Sequence, residues 1–237
     1  MKKVFITRDL EEDSSLVEEL LEKNLLLHGQ SLIEFTRLPF TKVPQSDWIF
    51  FYSKQGIRHY FDGLDDPACW TGVRMGMLRK VKQLKYATFG KGSAGFLKSC
   101  RNINPDFEGT GKAETTAQTF LKKAKNKKVL FVRGKNSLQS VQHLLKENKM
   151  DQIDFVVYDN QPMTKFSVPQ CHFLLFTSPL NAQAYYQRYA IKRWQKVFAI
   201  GETTAEALLS LGLKDIRIAS SPSISAMIEL VLLESNS

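Results

Sequence analysis

Along the chain, short apolar runs alternate with longer segments whose apolar positions recur every three or four residues. This is the pattern of parallel α/β folds. The runs predict strands at Val4–Thr7, Leu32–Phe35, Trp48–Tyr52, Tyr86–Phe89, Val129–Val132, Phe155–Tyr158, Phe173–Phe176, Val197–Ile200 and Ile216–Ile218. The helical period predicts Ser14–Asn24, Thr115–Lys125, Ser137–Asn148, Ala182–Tyr189, Thr203–Leu211 and Ser223–Leu233. Gly212 reads as a helix C-terminal signal, and Ser14 and Ser137 as N-caps.

The pattern then repeats. Lys3-Val4-Phe5-Ile6-Thr7-Arg8 matches Lys128-Val129-Leu130-Phe131-Val132-Arg133, each a strand ending in arginine before a polar turn. Trp48-Ile49-Phe50-Phe51-Tyr52-Ser53 matches Phe173-Leu174-Leu175-Phe176-Thr177-Ser178, and each is followed, after the next strand, by a glycine-started helix. Those helices open at Gly90 and Gly201 and share Gly-x-x-Ser/Thr-Ala-x-x-Leu. Matched pairs in matched order point to duplication and to two related α/β lobes, with function expected in the cleft between them.

The prolines bear on how the repeats are grouped. Pro39 and Pro44 follow the first repeat, and Pro162 and Pro169 follow the third. Proline fixes φ and biases its predecessor toward extended geometry, so both stretches read as crossings between lobes. A nested arrangement follows. Residues 1–37 with 164–237 form an outer lobe, 44–158 an inserted inner lobe, and 38–43 and 159–163 the connecting segments.

Composition narrows the function classes. The 237 residues are 43% hydrophobic, enough for ordinary cores. The N-terminus meets Arg8 after a few apolar residues and reads as a strand, not a signal peptide, and no apolar run could cross a bilayer. Cys69, Cys100 and Cys171 are widely spaced, which argues against a disulfide framework or zinc site; the chain reads as cytoplasmic. A net charge of +9 suits a polyanionic partner. Aromatics interleaved with basic residues are missing, and the lysines at 122, 123, 125, 127 and 128 suit a solvated helix end, so no nucleic-acid partner is expected.

No strong catalytic constellation stands out. Gly90-x-Gly92-x-x-Gly95 satisfies the dinucleotide fingerprint, but it lies mid-chain without the expected acidic residue beyond it. A tight turn with free amides at a helix N-terminus is the better reading. His28, His59, His143 and His172 lack metal-ligand spacing and read as ordinary surface or core histidines. The turns at Arg8, Ser53, Gly90, Arg133, Ser178 and Gly201 would lie at the C-terminal edges of parallel strands, where ligands bind in open α/β folds. They suit a ligand with many anionic groups. Tyr158, ending a strand before the second crossing, is the candidate proton donor.

Phe176-Thr177-Ser178-Pro179, Ala199-Ile200-Gly201-Glu202-Thr203-Thr204-Ala205 and Ser221-Pro222-Ser223 together resemble the uroporphyrinogen-III synthase family. Thr7-Arg8, the strand end at Val157-Tyr158 and the duplicated layout extend the resemblance over the whole chain. It implies two flavodoxin-like lobes, each a parallel sheet in three layers, joined by a two-stranded connector. It implies a cyclising lyase that closes hydroxymethylbilane, loses water and inverts ring D through a spiro intermediate, in haem biosynthesis, without metal or organic cofactor. The implied enzyme is a monomer with a polycarboxylate substrate and possible transient contact with the preceding enzyme. By position, Tyr158 matches the tyrosine that assists departure of the hydroxyl. Ser178, Thr203 and Thr204 match substrate contacts, with backbone amides at Ser178, Gly201 and Thr203 holding carboxylates; Arg8 and Arg133 are further candidates. Lys54-Gln55-Gly56 departs from the family's usual turn, and residues 65–77, with Trp70, read as an added helix or loop. The alternative to the synthase is a non-enzymatic two-lobed protein that binds a polyanion.

Overall fold

A computed structural model describes residues 1–10, 14–66 and 84–235. The side chains of residues 14–16 fall outside this set, and with them the expected cap at Ser14. So do Cys69, Trp70 and the added segment beyond residue 66.

The elements run β1 (Lys2–Ile6), α1 (Ser14–Glu22), β2 (Leu25–Gly29), β3 (Ile33–Arg37), β4 (Trp48–Phe51), α2 (Lys54–Asp65) and β5 (Lys85–Thr88). Next come α3 (Lys91–Arg101), β6 (Phe107–Glu108), α4 (Ala113–Lys123), β7 (Val129–Gly134), α5 (Ser140–Glu147) and β8 (Gln152–Pro162). The chain ends with β9 (Phe173–Phe176), α6 (Pro179–Arg188), β10 (Lys196–Ala199), α7 (Glu202–Ser210), β11 (Ile216–Ile218) and α8 (Ile224–Ser235).

Two compact units result: Met1–Glu34 with Gln161–Ser237, and Phe35–Asn160. The divisions cut through β3 and β8, whereas the prolines place connectors at 38–43 and 159–163. β3 and β8 are sheet neighbours. Leu38 N donates to Val157 O (3.0 Å) and Met163 N to Leu32 O (2.8 Å), an order that makes the pair antiparallel.

The first unit's sheet has the order β11-β10-β9-β1-β2, all its pairs parallel. Its strands read as unbroken apolar runs because both faces are covered. Val4, Ile6, Leu175 and Phe198 pack with Leu20, Met227 and Val231 of α1 and α8. Phe5, Leu174, Phe176 and Val197 pack on the other side with Ala182, Tyr185 and Leu208 of α6 and α7.

The second unit's sheet runs β3-β8-β7-β4-β5-β6 and is parallel from β8 to β6. Ile49, Phe51, Leu130 and Val132 meet Ile57, Tyr60 and Leu97 of α2 and α3. Trp48, Phe50 and Phe131 meet Phe120, Val141 and Leu145 of α4 and α5.

Three local readings need correction. The first helix stops at Glu22, and Leu25–Gly29 forms β2; Asn24 takes a left-handed φ of 57° that ends the helix before the leucines. α2 was not legible because Gly56 and Gly63 lower its helix propensity. Both are there for close packing: a Cβ would lie 3.3 Å from Val132 O at Gly56 and 2.4 Å from the Phe40 ring at Gly63. α5 begins at Ser140 and not Ser137, with Gln139 at its N-cap in a left-handed conformation (φ 54°) and no side-chain cap.

Candidate active site

In the first unit, β1, β9 and β10 are neighbours, so Arg8, Ser178 and Gly201 follow adjacent strands at one sheet edge. The first two strand ends are tied by a threonine pair. Thr177 N donates to Thr7 Oγ1 (2.9 Å), and Thr177 Oγ1 donates to Thr7 O (2.7 Å). Ser178 caps α6, accepting from Asn181 N (3.2 Å) and Asn181 Nδ2 (3.0 Å), with Pro179 in the first turn. Buried Asn181 in turn accepts from Leu32 N (2.8 Å), which fixes the cap to the strand connection beside it. Gly201 is the N-cap of α7 in extended conformation, and a side chain there would meet nothing within 4 Å. Thr203 is exposed and Thr204 buried in the first turn. The Arg8 side chain is exposed, with no ion pair among the described residues.

In the second unit, Arg133 lies on β7, and Ser53 and Gly90 follow β4 and β5; Tyr158 does not end its strand as expected, because β8 runs on to Pro162. Ser53 caps α2, accepting from Gly56 N at 3.0 Å. Its hydroxyl lies 3.2 Å from the Tyr158 hydroxyl. The structure therefore brings these two candidates together. The register between β7 and β8 shifts after Arg133: Arg133 opposes Val156, but Gly134 opposes Tyr158. This bulge re-aims the strand end, as bulges near functional sites do. Gly134 gives the phenol its room, because a Cβ there would stand 2.5 Å from Tyr158 Cε2 and Cζ. Phe35 meets the ring edge-on (centroids 5.8 Å apart), and His59 stacks on it (5.2 Å, 29°). Burial raises the Tyr158 pKa, opposed only in part by the Ser53 bond, so the hydroxyl stays protonated at neutral pH.

One of the expected residues takes another place. Arg133 is buried and four of its five N–H donors are spent inside the unit: Nε and Nη2 grip the Asp154 carboxylate, and Nη1 donates to Gly134 O (2.8 Å) and Lys135 O (3.0 Å). It braces the turn under Tyr158 and offers little outward. Gly90 caps α3, but the fingerprint around it has no dinucleotide geometry. Gly92 and Gly95 are exposed on the helix, with open space where a Cβ would go. In that fingerprint the last glycine lets helix and strand pack closely. At Gly90, by contrast, a Cβ would stand 3.2 Å from Gly111 Cα.

By its spacing His59 is an ordinary histidine, and no sequence signal marks its stacking; β8 meets α2 only in the fold. Among the described residues there is no group of His, Cys, Asp and Glu that could hold a metal, and no helix is long and apolar enough to cross a membrane.

A family sequence model described as Uroporphyrinogen-III synthase HemD matches residues 29–229. The fold is similar to the uroporphyrinogen-III synthetase of Helicobacter pylori 26695, with TM-score 0.72 and 20% identity over 99% of this chain and 100% of that one. It is also similar to a mutant uroporphyrinogen III synthase of Thermus thermophilus, with TM-score 0.56 and 14% identity over 99% of each chain. No curated protein sequence matches.

Proposed function

The chain belongs to the uroporphyrinogen-III synthase family, and from that premise we propose that it closes hydroxymethylbilane to uroporphyrinogen III, as a cyclising lyase of the cytoplasm. The observation that carries this reading is the Tyr158 hydroxyl, kept protonated by burial and aligned by Ser53 opposite the last residue of β7. A proton donor is what the first step needs.

The substrate's hydroxyl leaves as water when the adjacent pyrrole nitrogen pushes its lone pair toward the methylene carbon. Tyr158 donates its hydrogen bond, and then its proton, to the departing oxygen. The resulting azafulvene cation is attacked by ring D through its substituted carbon, forming the spiro intermediate. Fragmentation and reclosure at the other α-carbon invert the ring, and loss of a proton, which returns the Tyr158 phenolate to phenol, restores aromaticity. The substrate is reactive by itself and closes to the type I isomer unaided. The protein's contribution is then to hold one folded conformation and stabilise cations, which is work for positioning and electrostatics. Ser178, Gly201, Thr203 and Thr204 would hold carboxylates at the starts of α6 and α7, and Ser53 and Gly90 at α2 and α3, aided by the net charge of +9. Arg8, exposed at the end of β1, is a further carboxylate contact.

The strand orders support the duplication. Reading β1, β2, β9, β10, β11 as one series and β7, β8, β4, β5, β6 as the other, both sheets have the flavodoxin order 2-1-3-4-5. One series is interrupted by the other, as a nested duplication requires.

The test is freshly made hydroxymethylbilane, with products oxidised and the isomers resolved. Type III product above the spontaneous rate is expected, and type I alone at that rate refutes the reading. Tyr158→Phe should lower kcat by about tenfold or more with its fold intact.

A further inference from the structure

We propose that His59 is a positioning residue for Tyr158: its imidazole lies on the phenol and holds the hydroxyl at Ser53. This rests on the reading of Tyr158 given above. The phenol is bounded by Gly134 across the strand pair, by Phe35 at its edge, by Ser53 at its hydroxyl and by His59 on its face. Two of these four come from α2, which Ser53 caps and whose second turn carries His59. Ring and hydroxyl are thereby registered against one rigid helix, whose Gly56 is packed against the end of β7. Without the imidazole, the ring face it covers loses its stop and the phenol can turn away from Ser53.

The contact depends on charge. His59 Nε2 is buried and meets no hydrogen-bond partner among the described residues. Arg58 and Asp62 face the imidazole from its own helix, Arg37 from β3 and Tyr158 from β8. Burial, ahead of the two arginines, holds its pKa below the ordinary histidine value, and Asp62 only partly opposes them. Neutral imidazole therefore persists to lower pH than in water. Protonation would make both ring nitrogens donors, leaving Nε2–H with no acceptor among the described residues, and would place a cation beside the phenol that favours phenolate over phenol. The seat of Tyr158 is then disturbed as pH falls through the His59 pKa.

The test compares His59→Phe, which keeps a stacking ring without a titratable group, with His59→Ala, which removes the ring. We expect His59→Ala to lower kcat by about tenfold to a hundredfold, with KM held. His59→Phe should keep the wild-type kcat near neutral pH and lose the acid limb of the wild-type kcat profile. Independently of turnover, the ¹³Cζ tyrosine resonance of Tyr158, assigned by its loss in Tyr158→Phe, should step with the His59 titration in the wild type and not in His59→Phe. A wild-type kcat in His59→Ala, or a resonance with no such step, overturns the proposal. Should Tyr158→Phe turn over at the wild-type rate, the catalytic reading of Tyr158 fails, and the resonance alone still decides whether His59 governs the ring.

Discussion

Gly134→Ala probes the placement of Tyr158 through one methyl group. Gly134 has no positive φ, so alanine meets no backbone penalty and the whole effect is steric. The new Cβ would stand 2.5 Å from Tyr158 Cε2 and Cζ and 2.8 Å from Oη, whereas ordinary contact begins at 3.4 Å. The ring must retreat by roughly 0.9 Å, enough to carry the Ser53 contact past hydrogen-bond range. Overpacking of this kind costs about 1–3 kcal/mol, because the ring is held by Phe35 and His59 on its other sides. A misplacement near 1 Å can lower a rate by about a hundredfold. Urea unfolding reads the first effect, and turnover of hydroxymethylbilane with isomer analysis the second. A variant with a lowered urea midpoint and wild-type turnover would show that catalysis does not need the phenol where it lies. One with no loss of stability would show that the ring is not seated as described.

Arg133→Met should destabilise the chain by about 1–3 kcal/mol, since it strands Asp154 and two carbonyls; half-exposure of Asp154 holds the cost below that of a fully buried pair. Its midpoint in urea checks this, and an unchanged midpoint would mean the ion pair contributes nothing. Lys196 and then Arg217 hydrogen-bond the Glu234 carboxylate and hold its pKa below the usual carboxylate range. A depressed folded-state pKa stabilises above the unfolded value, about 4.3, and the contribution is lost as pH falls through the folded pKa. Glu234→Gln should therefore lower the melting temperature at neutral pH and flatten its fall in acid; parallel wild-type and variant curves would contradict the assignment.

The sequence reports what depends on burial over several residues in a row. β4, β7 and β9 are buried along their whole length, and each stands out as an apolar run. The caps are less legible: Ser137 looks like one and is not, while Ser178 caps a helix whose periodic pattern starts only at Ala182. What escapes is decided by partners distant in sequence. Leu25-Leu26-Leu27 continues a helical pattern until Asn24 turns the chain, and Gly56 and Gly63 look like breakers until the strand and ring they accommodate are known. Arg133 follows its apolar run in the sequence as Arg8 does. Only the fold shows that Asp154, one strand over, has claimed it.

The interrupted order of the first sheet also sets a timetable for the growing polypeptide. The inner unit is one continuous stretch, Phe35–Asn160, and can pair all its parallel strands as soon as it has been made. β1 can pair with β2 at once, but its other neighbour is β9, where Val4 meets Phe173. Until that strand emerges, Val4–Ile6 presents an unpaired apolar edge, the kind of surface that recruits chaperones or other chains. Refolding of the whole chain keeps part of this order, because pairing Val4 with Phe173 closes a longer loop than pairing Phe50 with Phe131. Backbone amides of Phe50 and Phe131 should therefore gain protection from exchange before that of Leu174.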